Sequence, residues 1–282
     1  MRVGTRVGRM QVWRDRSGRF SALKAATFLL CLAPGAGLAL ALATGRNPGR
    51  PITAALLATG IWSIRFLLAS LAVTPLRTVF GWSRLMLVRR MLGVTAAAYA
   101  LAHVGLYLAQ QNFDWVFVAR QIAEHLYLAL GFVATVGFAV LAATSTDGAI
   151  RRLRGNWRRL HRAAYPVAAF SLVHFLLSGK INIGPAVLPT GLFLWLMLWR
   201  MLPEERRRGA GLLGMLGLGA GLLTAAVEAG WYGLATAIPP RLVFFANLTF
   251  AAGPRPAVWV AILGVGLAGA AFLQRHLARA RR

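Results

Sequence analysis

Five histidines stand in a chain whose other ionisable groups are mostly arginine. Two of them, His103 and His174, lie inside apolar runs where no water reaches their rings. An imidazole in such surroundings is costly unless something satisfies it. A hydrogen bond from a neighbouring helix would do so. So would a haem iron, since neutral imidazole is the commonest side-chain metal ligand. His161 precedes His174 by thirteen residues, at the charged edge of the same run, and His103 follows Arg90 by thirteen. Thirteen helical residues cover about 20 Å. If the two runs point the same way, His103 and His174 reach one depth, the simplest cage for a bis-histidine haem.

His161 then marks a second, inner position, with Arg89 or Arg90 where a partner histidine would stand. On one ideal helix His161 and His174 are also about 140° apart in azimuth, although Pro166 between them can kink the helix. Ligation and a flanking role in a basic loop both stay open for His161. His125 reads as an interfacial side chain, and His276 as a solvent-exposed residue of the tail. Arg65 falls in the middle of an apolar run with no acid at matching depth, so a haem propionate is its expected partner. Arg77, Arg89, Arg90 and Arg158 could hold other anionic groups at the inner edge. Residue by residue, the topology signal is the better account of those four.

The elements that must position these residues are membrane helices. The chain of 282 residues is 58% apolar, and apolar runs are read at about 25–44, 52–73, 90–110, 126–143, 163–179, 184–201, 209–233 and 256–274. Eight spans define an all-α polytopic bundle. The first follows a basic stretch, as a signal peptide would, but is longer than a usual signal core and reads as an uncleaved span. The net charge of +25 does not point to nucleic acid, because the arginines cluster at the ends of apolar runs. Alternating sides receive 25 and 6 of the 32 Lys and Arg, with Arg65 inside a span. That bias puts both termini in the cytoplasm. The single cysteine, Cys31, forms no internal disulfide, and no Cys-x-x-Cys-His is present, which excludes covalent haem attachment. Gly264-Val-Gly-Leu-Ala-Gly269 matches a dinucleotide fingerprint in letters only. It lies in an apolar span with no later acid, and small residues there suit close helix packing.

Thr74-Pro75-Leu76-Arg77, Arg89-Arg90-Met91-Leu92-Gly93, His103, Thr144-Ser145-Thr146 and Trp157-x-x-Leu160-His161-x-x-x-Tyr165 running on to His174 and Lys180 carry a resemblance. Over residues 55–202 the chain resembles the ferric-reductase-like membrane domain, specifically the MsrQ (YedZ) family of haem-binding membrane subunits. The resemblance implies a six-helix haem-binding core (25–202), after a basic N-terminus (1–24) and before two additional spans and a tail (203–282). It implies heme b on the histidines matching His103, His174 and His161, in a bacterial inner membrane. Electrons would come from the quinone pool or a cytoplasmic flavin reductase. They would go to a periplasmic molybdopterin methionine sulfoxide reductase, the chain itself being no self-sufficient enzyme. Flavin mononucleotide (FMN) is associated with the family, and no motif here locates it. Two features depart from the family: His125-Leu126-Tyr127 replaces its Arg-Pro-Tyr, and residues 209–282 exceed its common length. The rival readings are a ferric reductase with another acceptor and a haem-free transporter with polar residues lining its path.

Overall fold

The computed structural model describes residues 13, 19–46, 49–180, 182–250 and 253–280. Arg2, Arg6, Arg9, Arg14 and Arg16 of the basic N-terminus, with Arg281 and Arg282, lie outside them. Among the described residues the long helices are α1 (Ala22–Ala43), α2 (Pro51–Phe80), α3 (Met86–Gln110), α5 (Leu126–Ala143), α8 (Ala164–Ser178), α9 (Gly184–Met201), α10 (Ala210–Ala235) and α12 (Pro256–Ala280). Short helices join them: α4 (Trp115–Glu124), α6 (Asp147–Leu153), α7 (Gly155–His161) and α11 (Pro240–Ala246). The expected all-α polytopic bundle is what forms. Seven segments, one of them α7 and α8 taken together, are long and apolar enough to cross a membrane. Helix α9 falls short of that measure because Pro185, Pro189 and Arg200 dilute it. It nevertheless has span length and is covered from several sides, with Ala186, Val187, Leu196 and Trp199 buried.

Polar side chains tie the helices to one another through backbone groups. Ser63 donates to the Ala96 carbonyl at 2.9 Å and Ser70 to that of Arg89 at 3.1 Å, joining α2 to α3. Apolar burial alone gives helices in lipid little reason to associate, so such bonds and close packing of small residues set the geometry. Gly217 of α10 meets Gly264 of α12 so closely that a Cβ on Gly264 would stand 2.4 Å from the Gly217 Cα. The first glycine of the dinucleotide-like motif is therefore a helix-crossing point.

Helix α2 continues past residue 73, where the apolar run ends, and through Pro75 to Phe80. Pro75 has no N–H for the carbonyl of Leu71, four residues earlier. The Arg200 guanidinium of α9 supplies that donor, with Nη2 at 2.6 Å from the Leu71 oxygen. Arg200 also donates to Leu196 O at 2.8 Å and to the Tyr165 hydroxyl at 3.3 Å, and lies over the Tyr165 ring. One half-buried cation thus closes the α2 ladder and pins α2 and α8 to α9. A similar repair joins α1 to α3. The Tyr99 hydroxyl accepts from Gly35 N–H at 2.7 Å and donates to Cys31 C=O at 3.1 Å. Those are the two groups an unbroken helix would pair, in the turn where Pro34 already interrupts α1.

The run from 155 to 178 is two helices. Helix α7 ends at His161, a turn at Arg162–Ala163 intervenes, and α8 begins at Ala164. His161 and His174 are consequently not on one continuous helix, and the azimuth expected from ideal geometry does not apply.

Candidate functional site

Helices α3 and α8 bring His103 and His174 together, with ring centroids 6.3 Å apart and ring planes at 81°. Each ring is held from behind by the other helix of its own hairpin. His103 Nδ1 lies 2.8 Å from the carbonyl of Leu56 on α2, and His174 Nδ1 lies 2.6 Å from that of Tyr127 on α5. A carbonyl only accepts, so both Nδ1 atoms carry the proton and both Nε2 atoms are left with a lone pair. This backbone support is the usual way a ligating imidazole is fixed in tautomer and orientation.

Glycine makes room for each ring. A Cβ on Gly60 would stand 2.9 Å from His103 Nδ1, and one on Gly131 would stand 2.7 Å from His174 Nδ1. Tyr127 adds its own ring, stacked on His174 at 6.1 Å. Leu56, Gly60, Tyr127 and Gly131 are absent from a reading based on ionisable residues. A signal for them exists, however. Carbonyl and histidine are 47 residues apart in both hairpins. The sets Leu56, Gly60, His103 and Tyr127, Gly131, His174 are offset by the same 71 residues, as are Ala97-Ala98-Tyr99-x-Leu101 and Ala168-Ala169-Phe170-x-Leu172. The α2–α3 and α5–α8 hairpins are two copies of one cradle.

The separation of the rings suits a shared metal atom. A metal–imidazole bond is about 2 Å, and a ring nitrogen lies roughly 1 Å from its ring centre. Two rings on one atom therefore have centres about 6 Å apart. No group of three or more His, Cys, Asp or Glu that could hold a metal ion occurs among the described residues. The pair could offer two imidazole nitrogens, a number that porphyrin iron can take from protein, and not the three or four protein ligands of a zinc site.

The remaining expected site residues are not brought to this pair. His161 stacks on Trp157 at 4.0 Å and its Nε2 lies 3.1 Å from the Thr144 hydroxyl. Trp157 donates to the Thr144 carbonyl at 2.9 Å. His161 and Trp157 together cap the end of α5, and no second imidazole faces His161. Arg65 is exposed and lies over the Trp62 ring at 4.7 Å. It is five residues beyond Gly60, which turns it about 140° from the cradle face of α2, so its expected pairing with a group held by the histidines is not what this geometry offers. Arg90 pairs with Asp147 at 2.5 Å, a protein acid in place of a cofactor anion. Arg89 lies within electrostatic range of His161 and of Arg200. Arg77 and Arg158 are exposed at the arginine-rich end. His125 closes the end of α4 with Nδ1 3.0 Å from Gln121 O, and His276 is exposed against Phe272.

Two parallel hairpins presenting one imidazole each define a membrane component of the ferric-reductase type. Residues 54–172 match the family described as ferric reductase like transmembrane component. The chain is 36% identical over 200 residues, 70% of its length and 94% of the relative's, to a protein of Rhodospirillum rubrum named protein-methionine-sulfoxide reductase heme-binding subunit MsrQ. It is 38% identical over 194 residues to the protein of that name from Azospira oryzae, covering 68% and 83% of the two chains. With its namesake from Xanthomonas oryzae it shares 39% over 143 residues, covering 50% and 66%. The chain belongs to the MsrQ family. No solved structure matches it.

Proposed function

We propose that this chain is a membrane electron carrier holding one b-type haem between His103 and His174. The observation that carries the reading is the duplicated cradle. Two Nδ1–H groups are anchored on carbonyls, two Nε2 lone pairs remain, and the ring centres are 6.3 Å apart. The names of the relatives, heme-binding subunits, point the same way. Attachment would be non-covalent, since the chain has a single cysteine. The haem would supply a one-electron couple. The chain's own residues orient its ligands and exclude water around them. His161 and Arg65 are left outside the proposed site.

By the arginine bias, the end carrying Arg77, Arg158 and both termini faces the cytoplasm of a bacterial inner membrane. The histidine pair then lies in the outer half. That placement favours delivery of electrons outward, to a periplasmic molybdopterin methionine sulfoxide reductase. The donor would be the quinone pool or a cytoplasmic flavin reductase. Full-length protein purified in detergent should show a Soret band and split α/β bands on dithionite reduction. His103→Ala and His174→Ala should each abolish them, and normal haem content in both variants would refute the assignment.

A further inference from the structure

The short helices α6 and α7 join the inner ends of α5 and α8. Ile150, Leu153, Trp157 and Leu160 recur along them at intervals of three and four residues and are half-buried, the stripe of a helical segment lying on an apolar support. Arg151, Arg152, Arg154, Arg158, Arg159 and Arg162 fall between them and are all exposed. The pair of helices is firmly held. Thr146 caps α6 by accepting from Ala149 N–H at 3.2 Å, and Arg90 binds Asp147 in its first turn. Trp157 and His161 of α7 both bond to Thr144. Arg154 alone links the helices, at φ +48° and ψ −124°. A residue with a side chain keeps such a conformation only where its surroundings impose it. Gly155 follows directly, yet the chain puts the arginine in the strained position.

None of these six guanidinium groups makes an ion pair or a side-chain hydrogen bond among the described residues. Other arginines at the same end do, Arg90 with Asp147 and Arg207 with Glu204 at 3.6 Å. Like charges crowded into so short a stretch repel one another until an anion comes between them. A topology signal requires charge at this end of the spans. It does not require a capped, anchored and locally strained pair of helices to present that charge on one side. We propose that α6 and α7 form a binding surface for the phosphate groups of anionic phospholipids. The apolar spans stop at Ala143 of α5 and resume at Ala164 of α8, so the segment between them lies at headgroup level. There the stripe containing Trp157 meets the bundle and the acyl boundary, and the arginines meet phosphates, as in an interfacial basic helix. Arginine suits the task, because its planar fork donates two parallel N–H bonds to one phosphate. Arg158, Arg159 and Arg162 are three or four residues apart, close enough for two forks to share a headgroup. The surface is independent of the haem reading, since none of its residues belongs to the cradle.

The test is a titration of full-length protein in detergent with dansyl-labelled phosphatidylglycerol, read as energy transfer from tryptophan. Dansyl-labelled phosphatidylcholine serves as the zwitterionic comparison. Wild type should bind the anionic lipid saturably and in preference to the zwitterionic one. Each arginine near an anionic membrane surface contributes about fivefold, so the triple variant Arg151→Gln, Arg158→Gln, Arg159→Gln should bind more than about tenfold more weakly. The control triple Arg206→Gln, Arg208→Gln, Arg279→Gln removes the same charge from exposed positions at the same end of the bundle and should bind as wild type does. Lysine at 151, 158 and 159 should keep most of the affinity, because an ammonium still meets a phosphate as a point charge. Equal losses in the glutamine triple and the control triple would overturn the proposal, leaving only diffuse attraction to a positive protein. A loss in the lysine triple as large as in the glutamine triple would overturn it too, by tracing the effect to the fold. So would displacement of the labelled lipid by an equal concentration of inorganic phosphate, which would make the surface a site for the free ion.

Discussion

The cradle can be tested by adding a single methyl group behind one histidine. In Gly131→Ala the new Cβ would stand 2.7 Å from His174 Nδ1 and 2.9 Å from Cε1, where ordinary contact begins at 3.4 Å. The imidazole must retreat by about 0.7 Å, taking the bond to Tyr127 O from 2.6 Å to beyond about 3.2 Å, the end of the good N–H···O range. Losing such a supporting bond typically costs about 10–100-fold in metal affinity. Gly60→Ala should act in the same direction and less strongly, its closest approach being 2.9 Å. Gly105→Ala is the matched control, two residues from His103 with nothing within 4 Å of its added methyl. The assay is haem transfer from detergent-solubilised protein to excess apomyoglobin, followed in the Soret region. Gly131→Ala should lose haem roughly 10–100 times faster than wild type, as expected from that affinity loss, and Gly105→Ala at the wild-type rate. Equal rates for Gly131→Ala and Gly105→Ala would refute the reasoning, because the two differ chiefly in what the methyl meets.

Arg65→Leu should retain haem at the wild-type midpoint potential, since Arg65 faces about 140° from the cradle side of α2; a potentiometric titration checks this. His161→Ala should keep its full Soret band per polypeptide, and loss of haem would restore ligation by His161. Arg200→Met should lower stability by about 1–3 kcal/mol, the cost of leaving a buried acceptor unpaired, because the Leu71 carbonyl loses the donor that replaces Pro75. Tryptophan-fluorescence unfolding in detergent measures that loss. A chain ending at Arg208 should still bind haem, because α2, α3, α5 and α8 alone build the cradle, yet melt earlier. Gly191 would lose its contacts with Thr224 and Val260, and the Leu213 cover over Trp199 would go.

Spans were legible wherever hydropathy alone decides. The limits of α5 and α9 coincide with their apolar runs, and the equal depth of His103 and His174 follows from counting residues along parallel helices. Less legible were features made by contacts across the bundle. The extension of α2 through Pro75 depends on an arginine 129 residues away in sequence. The break between α7 and α8 falls where Pro166 offers no N–H to Arg162, as the sequence suggests, but the hold of His161 and Trp157 on Thr144 was not legible. A cation in mid-span suggests a buried partner, whereas the helix azimuth places Arg65 on an outward face beside Trp62, which composition does not show. Helix α4 escaped notice because its ten residues are too few to span, although Asp114 caps it by accepting from Phe117 N–H at 2.9 Å.

The duplicated hairpin also accounts for why one end of the bundle pairs histidines and the other does not. At the 71-residue offset that superposes His103 on His174, Arg90 falls on His161. The repeat therefore presents two imidazoles at the outer level but an arginine and an imidazole at the inner one. A guanidinium remains protonated and donates only, so it cannot ligate a metal. The structure uses the inner residues differently. Arg90 holds Asp147 at the start of α6, and His161 meets Thr144 at the end of α5. Both copies thus use their inner position on the same α5–α6 junction. A second bis-histidine haem would need a histidine at residue 90 and release of His161 from Thr144. The sequence supplies an arginine at that register, and the fold puts it to use in an ion pair. The proposed division of labour follows from this asymmetry, with the outer level holding the cofactor and the inner level fixing the α5–α6 junction.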